Sequence, residues 1–203
     1  MSFKNQKIQV VVSNFEIGAG KRGASKGPLS LLESLKQLEI EFDSPILLNA
    51  LEYSDSESNT PFCKHIFEIE KASNLLNIEI ENQLNHNKFP LILSGDHSNA
   101  IGGISGVKNT YPDKRIGVIW VDAHADLHSP YTTPSGNLHG MPLATALGVD
   151  NLPCQRNHVD IETSLQWTQL KSNSVRFSDL IYVGVRSTEP EEDAVIEAEN
   201  ITN

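Results

Sequence analysis

Three short stretches of the chain, residues 91–94 (LILS), 116–121 (IGVIWV) and 180–185 (LIYVGV), are almost continuously apolar instead of alternating with polar residues. A strand that reads this way is buried on both faces, which is the habit of parallel sheets covered by helices. Two further runs, 8–12 and 45–50, complete a set of strands at 8–12, 45–50, 90–93, 115–121 and 180–185. Between and after them lie helical patterns at 28–38, 62–87, 99–110, 141–147 and 189–199. Pro28 suits a first helical turn, where its missing N–H costs nothing. Thr188 and Glu191 stand at capping-box spacing before the last helix, with Pro190 in its first turn. Strand and helix in repetition predict an α/β fold: a parallel sheet with helices on both faces and right-handed crossovers. Residues 54–60 and 151–157 read as surface loops. The chain stops after one final helix with no closing strand, so the sheet is expected to be incomplete at its C-terminal end, with an unpaired strand edge and uncovered apolar surface.

Charge and composition remove whole classes of function. With 26 acidic residues against 16 Lys or Arg, the formal charge is −10, which leaves nothing to neutralise a run of phosphates. No apolar run approaches the roughly 20 residues that cross a bilayer, and the N-terminus reads as a first strand, not a signal peptide. Cys63 and Cys154 fit no metal or redox spacing and are expected as unpaired thiols of a cytoplasmic protein. At 203 residues, one domain spanning 1–203 is the simplest reading.

The chemistry concentrates in residues 119–140 (IWVDAHADLHSPYTTPSGNLHG). Asp122, His124 and Asp126 follow a buried strand at alternate positions, which in an extended chain puts their side chains on one side. They stand at the C-terminal end of a parallel strand, where open α/β sheets place their ligand crevices. Residues 91–97 (LILSGDH) end a second strand on Asp96 and His97, so His97 is expected to face the other three. Burying such side chains costs several kcal/mol unless something pairs with them. Carboxylates and imidazoles without a thiolate favour a borderline-to-hard divalent ion such as Mn²⁺ over a structural Zn²⁺ site. His65, His86 and His158 sit in polar settings and are expected at the surface.

With these residues in view, the chain resembles the ureohydrolases, and within them the arginases. The motifs that carry the likeness are residues 94–98 (SGDHS), 121–126 (VDAHAD), 132–140 (TTPSGNLHG) and, more weakly, 184–190 (GVRSTEP). The resemblance implies manganese-dependent hydrolysis of L-arginine to L-ornithine and urea at a two-ion site. His97 and Asp126 would bind one ion, His124 the other, and Asp122 would bridge them. Asp126 would also accept a proton during the reaction, and His139 would deliver one to the departing amine. His128, Ser135 and Asn137 match residues that meet the substrate α-carboxylate. Glu189 and Glu192 match those facing its α-ammonium. His128 stands where arginases often have Asn, and Glu189 where Asp is more usual. The family's distal Ser-Phe-Asp-x-Asp-type motif, with two further carboxylate ligands, has no counterpart in these residues. Four of six implied ligands are therefore expected here. The alternatives are a truncated, inactive arginase-like chain that binds metal weakly and acts as an assembly partner or does nothing, and a hydrolase of another guanidino compound such as agmatine. A homo-oligomer is left open.

Overall fold

The computed structural model describes residues 6–48 and 60–202. The elements run β1 (Ile8–Ser13), α1 (Gly27–Gln37), β2 (Asp43–Leu48), α2 (Ile66–Asn85), β3 (Phe89–Ser94), α3 (Ala100–Thr110), β4 (Ile116–Val121), α4 (Pro142–Leu147), α5 (Ile161–Leu170), β5 (Val175–Val183) and α6 (Pro190–Ala198). All strand pairs are parallel, as the apolar runs require. The expected strand positions 49–50 and nearly all of the loop 54–60 lie outside the described residues.

Around β1 the three-layer arrangement is complete. Val10 and Val12 point to Leu32 on α1, while Val11 points the other way to Leu76 and Ile80 on α2. That is the period-2 alternation of a strand with both faces covered. Helix α3 packs closely on α2 because Gly102 and Gly106 carry no side chain. A Cβ there would lie 2.5 Å from the Ser73 carbonyl oxygen and 2.8 Å from that of Asn77.

The single expected sheet is divided. Strands β2-β1-β3 form one sheet and β4-β5 another. An apolar cleft lined by Ile92, Ile104, Val107 and Val118 runs between β3 and β4. The expectation that 116–121 and 180–185 are buried on both faces is corrected accordingly. Val118, Trp120, Leu180 and Tyr182 pack against Leu143 and Val195, whereas Ile119 and Val121 are 70% and 75% exposed. No described element covers that second face, which agrees with the expected bare apolar surface, whereas the outer edge of β5 is met at one point, where the Tyr182 amide donates to the Thr202 carbonyl at 2.8 Å.

Other boundaries shift for local reasons. Helix α2 starts at Ile66 and not at 62, because His65 takes a left-handed φ of 58° that no helix interior accepts. His65 is half-buried, unlike the exposed His86 and His158. Strand β5 begins at Val175 and stops before Gly184, whose φ of 83° ends the pleat. Helix α5 was not expected at all. Its N-cap Asp160 accepts from the Thr163 amide at 2.8 Å, and Thr163, Trp167 and Leu170 form its buried face. Helix α6 is capped one residue later than the sequence spacing indicated. The reciprocal pair is Glu189 with Glu192, because Glu189, not Thr188, is the extended residue before Pro190. Cys63 is buried, Cys154 half-buried, and both are free. No helix among the described residues is long and apolar enough to cross a membrane.

Candidate metal centre and substrate pocket

Strands β3 and β4 run in the same sense, so their C-terminal ends bring residues 94–98 and 122–128 together although the strands themselves do not pair. His97 Nδ1 lies 2.8 Å from Asp126 Oδ2 and 3.2 Å from Asp122 Oδ2. One ligand atom from each of these three residues falls within 4.8 Å of the others. The His97 ring stacks on Trp120 with centroids 4.4 Å apart, which fixes its plane. His124 lies outside this trio and is more exposed, with its Nδ1 3.4 Å from Asp122 Oδ1. Asp122 thus turns one carboxylate oxygen to the His97 imidazole and the other to His124, whose backbone amide donates to it at 2.9 Å with the ring just beyond.

The segment does not stay extended, as the sequence spacing had suggested. Strand β4 ends at Val121, and Asp126 has a φ of 51°. Aspartate reaches this left-handed region more readily than most residues because its short side chain bonds locally. The gathering of Asp122 and Asp126 therefore comes from a turn held by its surroundings. Tyr182 Oη donates to the Ala125 carbonyl at 2.8 Å, and the Leu127 amide donates to Glu192 Oε1 at 3.0 Å. Burial, with Glu192 and Asp126 nearby, pushes the Tyr182 phenol well above its ordinary pKa, so it stays a donor.

A cleft of about 440 Å³ opens over these residues. His97, Asp122, His124, Asp126, His128, Ser135, His139, Glu189 and Glu192 all line it. Asn137 does not. Its amide side chain lies back against Gly20, where a Cβ would come within 2.8 Å of Nδ2. His128 is buried, its Nδ1 3.2 Å from Thr132 Oγ1 and its Nε2 3.3 Å from Glu189 Oε2 and 3.8 Å from Glu192 Oε2. Burial raises the pKa of Glu192 above the usual carboxylate range, against the lowering effect of the Leu127 amide.

Burial pulls the pKa of His97 down, yet the hydrogen bond and charge of Asp126, with the charges of Asp122 and Asp96, leave it raised. Three carboxylates around one imidazole call for a positive charge, and a divalent cation meets that need as a proton does. The donor set, oxygen and nitrogen without sulfur, fits a borderline-to-hard ion.

Two residues that organise the site were not expected from the sequence. Asp96 takes hydrogen bonds from the Ser98 amide at 2.8 Å and the Ala19 amide at 3.1 Å, tying the loop after β1 to the His97 turn. That loop then receives the His139 amide on the Gly18 carbonyl at 3.1 Å. In the sequence Tyr182 is only one residue of an apolar strand.

The arginase family model matches residues 6–203. The chain belongs to the arginase family. An arginase of Staphylococcus aureus (strain MRSA252) is 31% identical across 98% of this chain and 63% of its own length. Human Arginase-1 is 32% identical across 97% of this chain and 59% of its own. Among solved structures, native Bacillus caldovelox arginase superposes with a TM-score of 0.78 at 29% identity, covering 97% of this chain and 64% of that one. The Entamoeba histolytica arginase in complex with L-ornithine gives 0.80 at 28% identity, with the same coverage of both chains. This family member thus spans about three-fifths of the length of these relatives.

Proposed function

We propose that this chain carries the first part of a ureohydrolase active site, and that the complete protein hydrolyses L-arginine to L-ornithine and urea with Mn²⁺ bound. We read residues 1–203 as one domain that is part of the family's fold. The observation that carries the reading is Asp122, with one oxygen toward His97 and the other toward His124, beside Asp126 in a cleft that also holds Ser135, His139 and two glutamates. That arrangement suits a carboxylate shared between two ions, with His97 and Asp126 on one side and His124 on the other.

A bound pair of divalent ions would supply Lewis acidity there and bring the pKa of a water toward neutrality. The residues of the chain do the rest. Glu189 and Glu192 hold the substrate α-ammonium, while His128 and Ser135 offer donors to its α-carboxylate. Anchoring that end sets the guanidinium carbon over Asp122 and Asp126. A C–O bond forms between the attacking water and the guanidinium carbon; Asp126 takes one of the two water protons, and the other stays on the new hydroxyl until it is lost as the C=O of urea forms. The bond between the guanidinium carbon and the side-chain nitrogen then breaks, and His139 protonates that nitrogen as ornithine leaves.

Arginine is favoured over agmatine because Ser135 and the two glutamates together match a group bearing both a carboxylate and an ammonium, and agmatine keeps the ammonium but has no α-carboxylate. The test is urea release from the complete protein with Mn²⁺, using L-arginine and agmatine in parallel. Urea from arginine that is abolished by a chelator supports the reading, and urea from agmatine alone would overturn the substrate assignment. Residues 1–203 by themselves are expected to be nearly inactive, because one close trio of ligands is too few to hold two ions in fixed geometry.

A further inference from the structure

The segment that carries the proposed metal ligands is held in an alternating way. Asp122, His124 and Asp126 turn their side chains to the cleft. The backbone of the residues between and after them is gripped by the β5–α6 connection. The amides of Arg186 and Ser187 donate to the Ala123 carbonyl at 2.9 and 3.0 Å. Tyr182 Oη donates to the Ala125 carbonyl at 2.8 Å, and Glu192 Oε1 accepts from the Leu127 amide at 3.0 Å. The last two anchors flank Asp126, the residue at φ 51°. A residue in that region of conformational space persists when its surroundings over-determine it, and such positions cluster at functional sites.

Tyr182 is the more telling anchor. Its ring packs in the core with Trp120, Leu180 and Val195, and it is only 2% exposed. A phenylalanine would fill that core equally well. The hydroxyl has one described partner, the carbonyl next to Asp126, and it does not line the cleft.

We infer that the Tyr182 hydroxyl is a positioning group for the metal centre: by fixing the Ala125 carbonyl it presets the Asp126 carboxylate beside Asp122 and His97. The inference rests on the reading of those residues as metal ligands. Groups that orient ligands from behind typically govern metal affinity by about 10–100-fold. Tyr182 acts through the backbone and not on a ligand atom, so a loss near the lower end, about tenfold, is expected.

The experiment is a Co²⁺ titration of the chain, read by the visible d–d absorption, on wild type, Tyr182→Phe and Tyr131→Phe. Tyr131→Phe is the control, since it removes a 2.8 Å hydroxyl contact to Ser164 Oγ from a residue that does not line the cleft. The expected result is a roughly tenfold weaker Co²⁺ affinity and an altered absorption band for Tyr182→Phe alone. Its metal-free thermal midpoint should fall no further than that of Tyr131→Phe. Equal affinity and spectrum in Tyr182→Phe and wild type overturn the inference while leaving the metal reading intact, and so does an equal loss in Tyr131→Phe. Failure of the wild type to bind Co²⁺ overturns both. Should Tyr182→Phe fail to fold, the second anchor decides the case. Glu192→Gln keeps an oxygen for the Leu127 amide and Glu192→Leu does not, so affinity retained in the first and lost in the second supports the clamp. The same affinity in both overturns it.

Discussion

Replacing Gly136 by alanine tests how the Ser135-Gly136-Asn137 turn is made. Gly136 has a φ of 73°, a region that costs a residue with a Cβ roughly 1–2 kcal/mol. Space is the larger problem. A Cβ at this position would lie 1.9 Å from the Pro61 carbonyl oxygen, 2.9 Å from the Pro61 carbonyl carbon and 3.1 Å from the Phe62 Cα. All three are backbone atoms, so no rotamer change relieves the contact and one segment must move. Overpacking of this kind costs about 1–3 kcal/mol. Movement also threatens the Lys64 amide bond to the Gly136 carbonyl at 2.8 Å and the Gly136 amide bond to Thr133 Oγ1 at 3.0 Å, each worth about 1 kcal/mol. Together the loss should reach about 3–5 kcal/mol, a large part of the 5–15 kcal/mol typical of a folded domain. At about 2–4 °C per kcal/mol for a chain of this size, the thermal midpoint should fall by roughly 10 °C. Gly140→Ala is the internal control, because a Cβ there meets nothing within 4 Å. Its effect should stay within about 0.5 kcal/mol. The assay is urea or thermal denaturation of the two variants beside the wild type. A Gly136→Ala protein that melts with Gly140→Ala would refute the reasoning.

Three further outcomes are expected. Trp167→Phe should destabilise the fold by about 1–3 kcal/mol in urea melts, since it keeps a buried ring but removes the indole N–H that donates to the Asp150 carboxylate at 2.7 Å and leaves that carboxylate to Lys171. The raised pKa of His97 gives the metal-free chain a stabilisation that is complete below the ordinary histidine value of about 6.5 and is lost as pH rises through the folded value. Thermal melts from about pH 6 upward should show that decline, His97→Gln should flatten it, and Mn²⁺ affinity should rise over the same window as the proton is displaced. In the complete protein His139→Asn should lower urea turnover by about 10–10⁴-fold with metal content unchanged, and loss of metal would instead make His139 a ligand or a structural support.

The fold was legible wherever burial is written locally. Residues 8–12, 91–94 and 116–121 are strands because their apolar runs admit little else, and the helices between them follow from period and caps. Strand neighbours are another matter. Nothing in LILS or IGVIWV says which edge pairs with which, so the separation of β3 from β4 and the bare face at Ile119 and Val121 emerged only in three dimensions. Helix α5 was missed because IETSLQWTQL is too polar to announce itself, although the Asp160–Thr163 cap and the spacing of Trp167 and Leu170 were there to be read. In the site, motif spacing located the ligands, while the positive φ of Asp126 left no trace in a run that reads as extended. Asn137 was placed among the pocket residues by its motif, yet its side chain packs against Gly20 instead. Tyr182 was hidden for a different reason. Its ring makes it a core residue in any hydropathy pattern, and only the contact at Ala125 distinguishes its hydroxyl.

The central claim is that His97, Asp122 and Asp126 hold a divalent cation. Crystals of the chain grown with excess Mn²⁺, measured above and below the manganese absorption edge, test it most directly. An anomalous peak bonded to His97, Asp122 and Asp126, and absent in crystals of Asp122→Asn, is the result expected. Manganese-soaked crystals with no peak at these three residues, or with the same peak in Asp122→Asn, would contradict it.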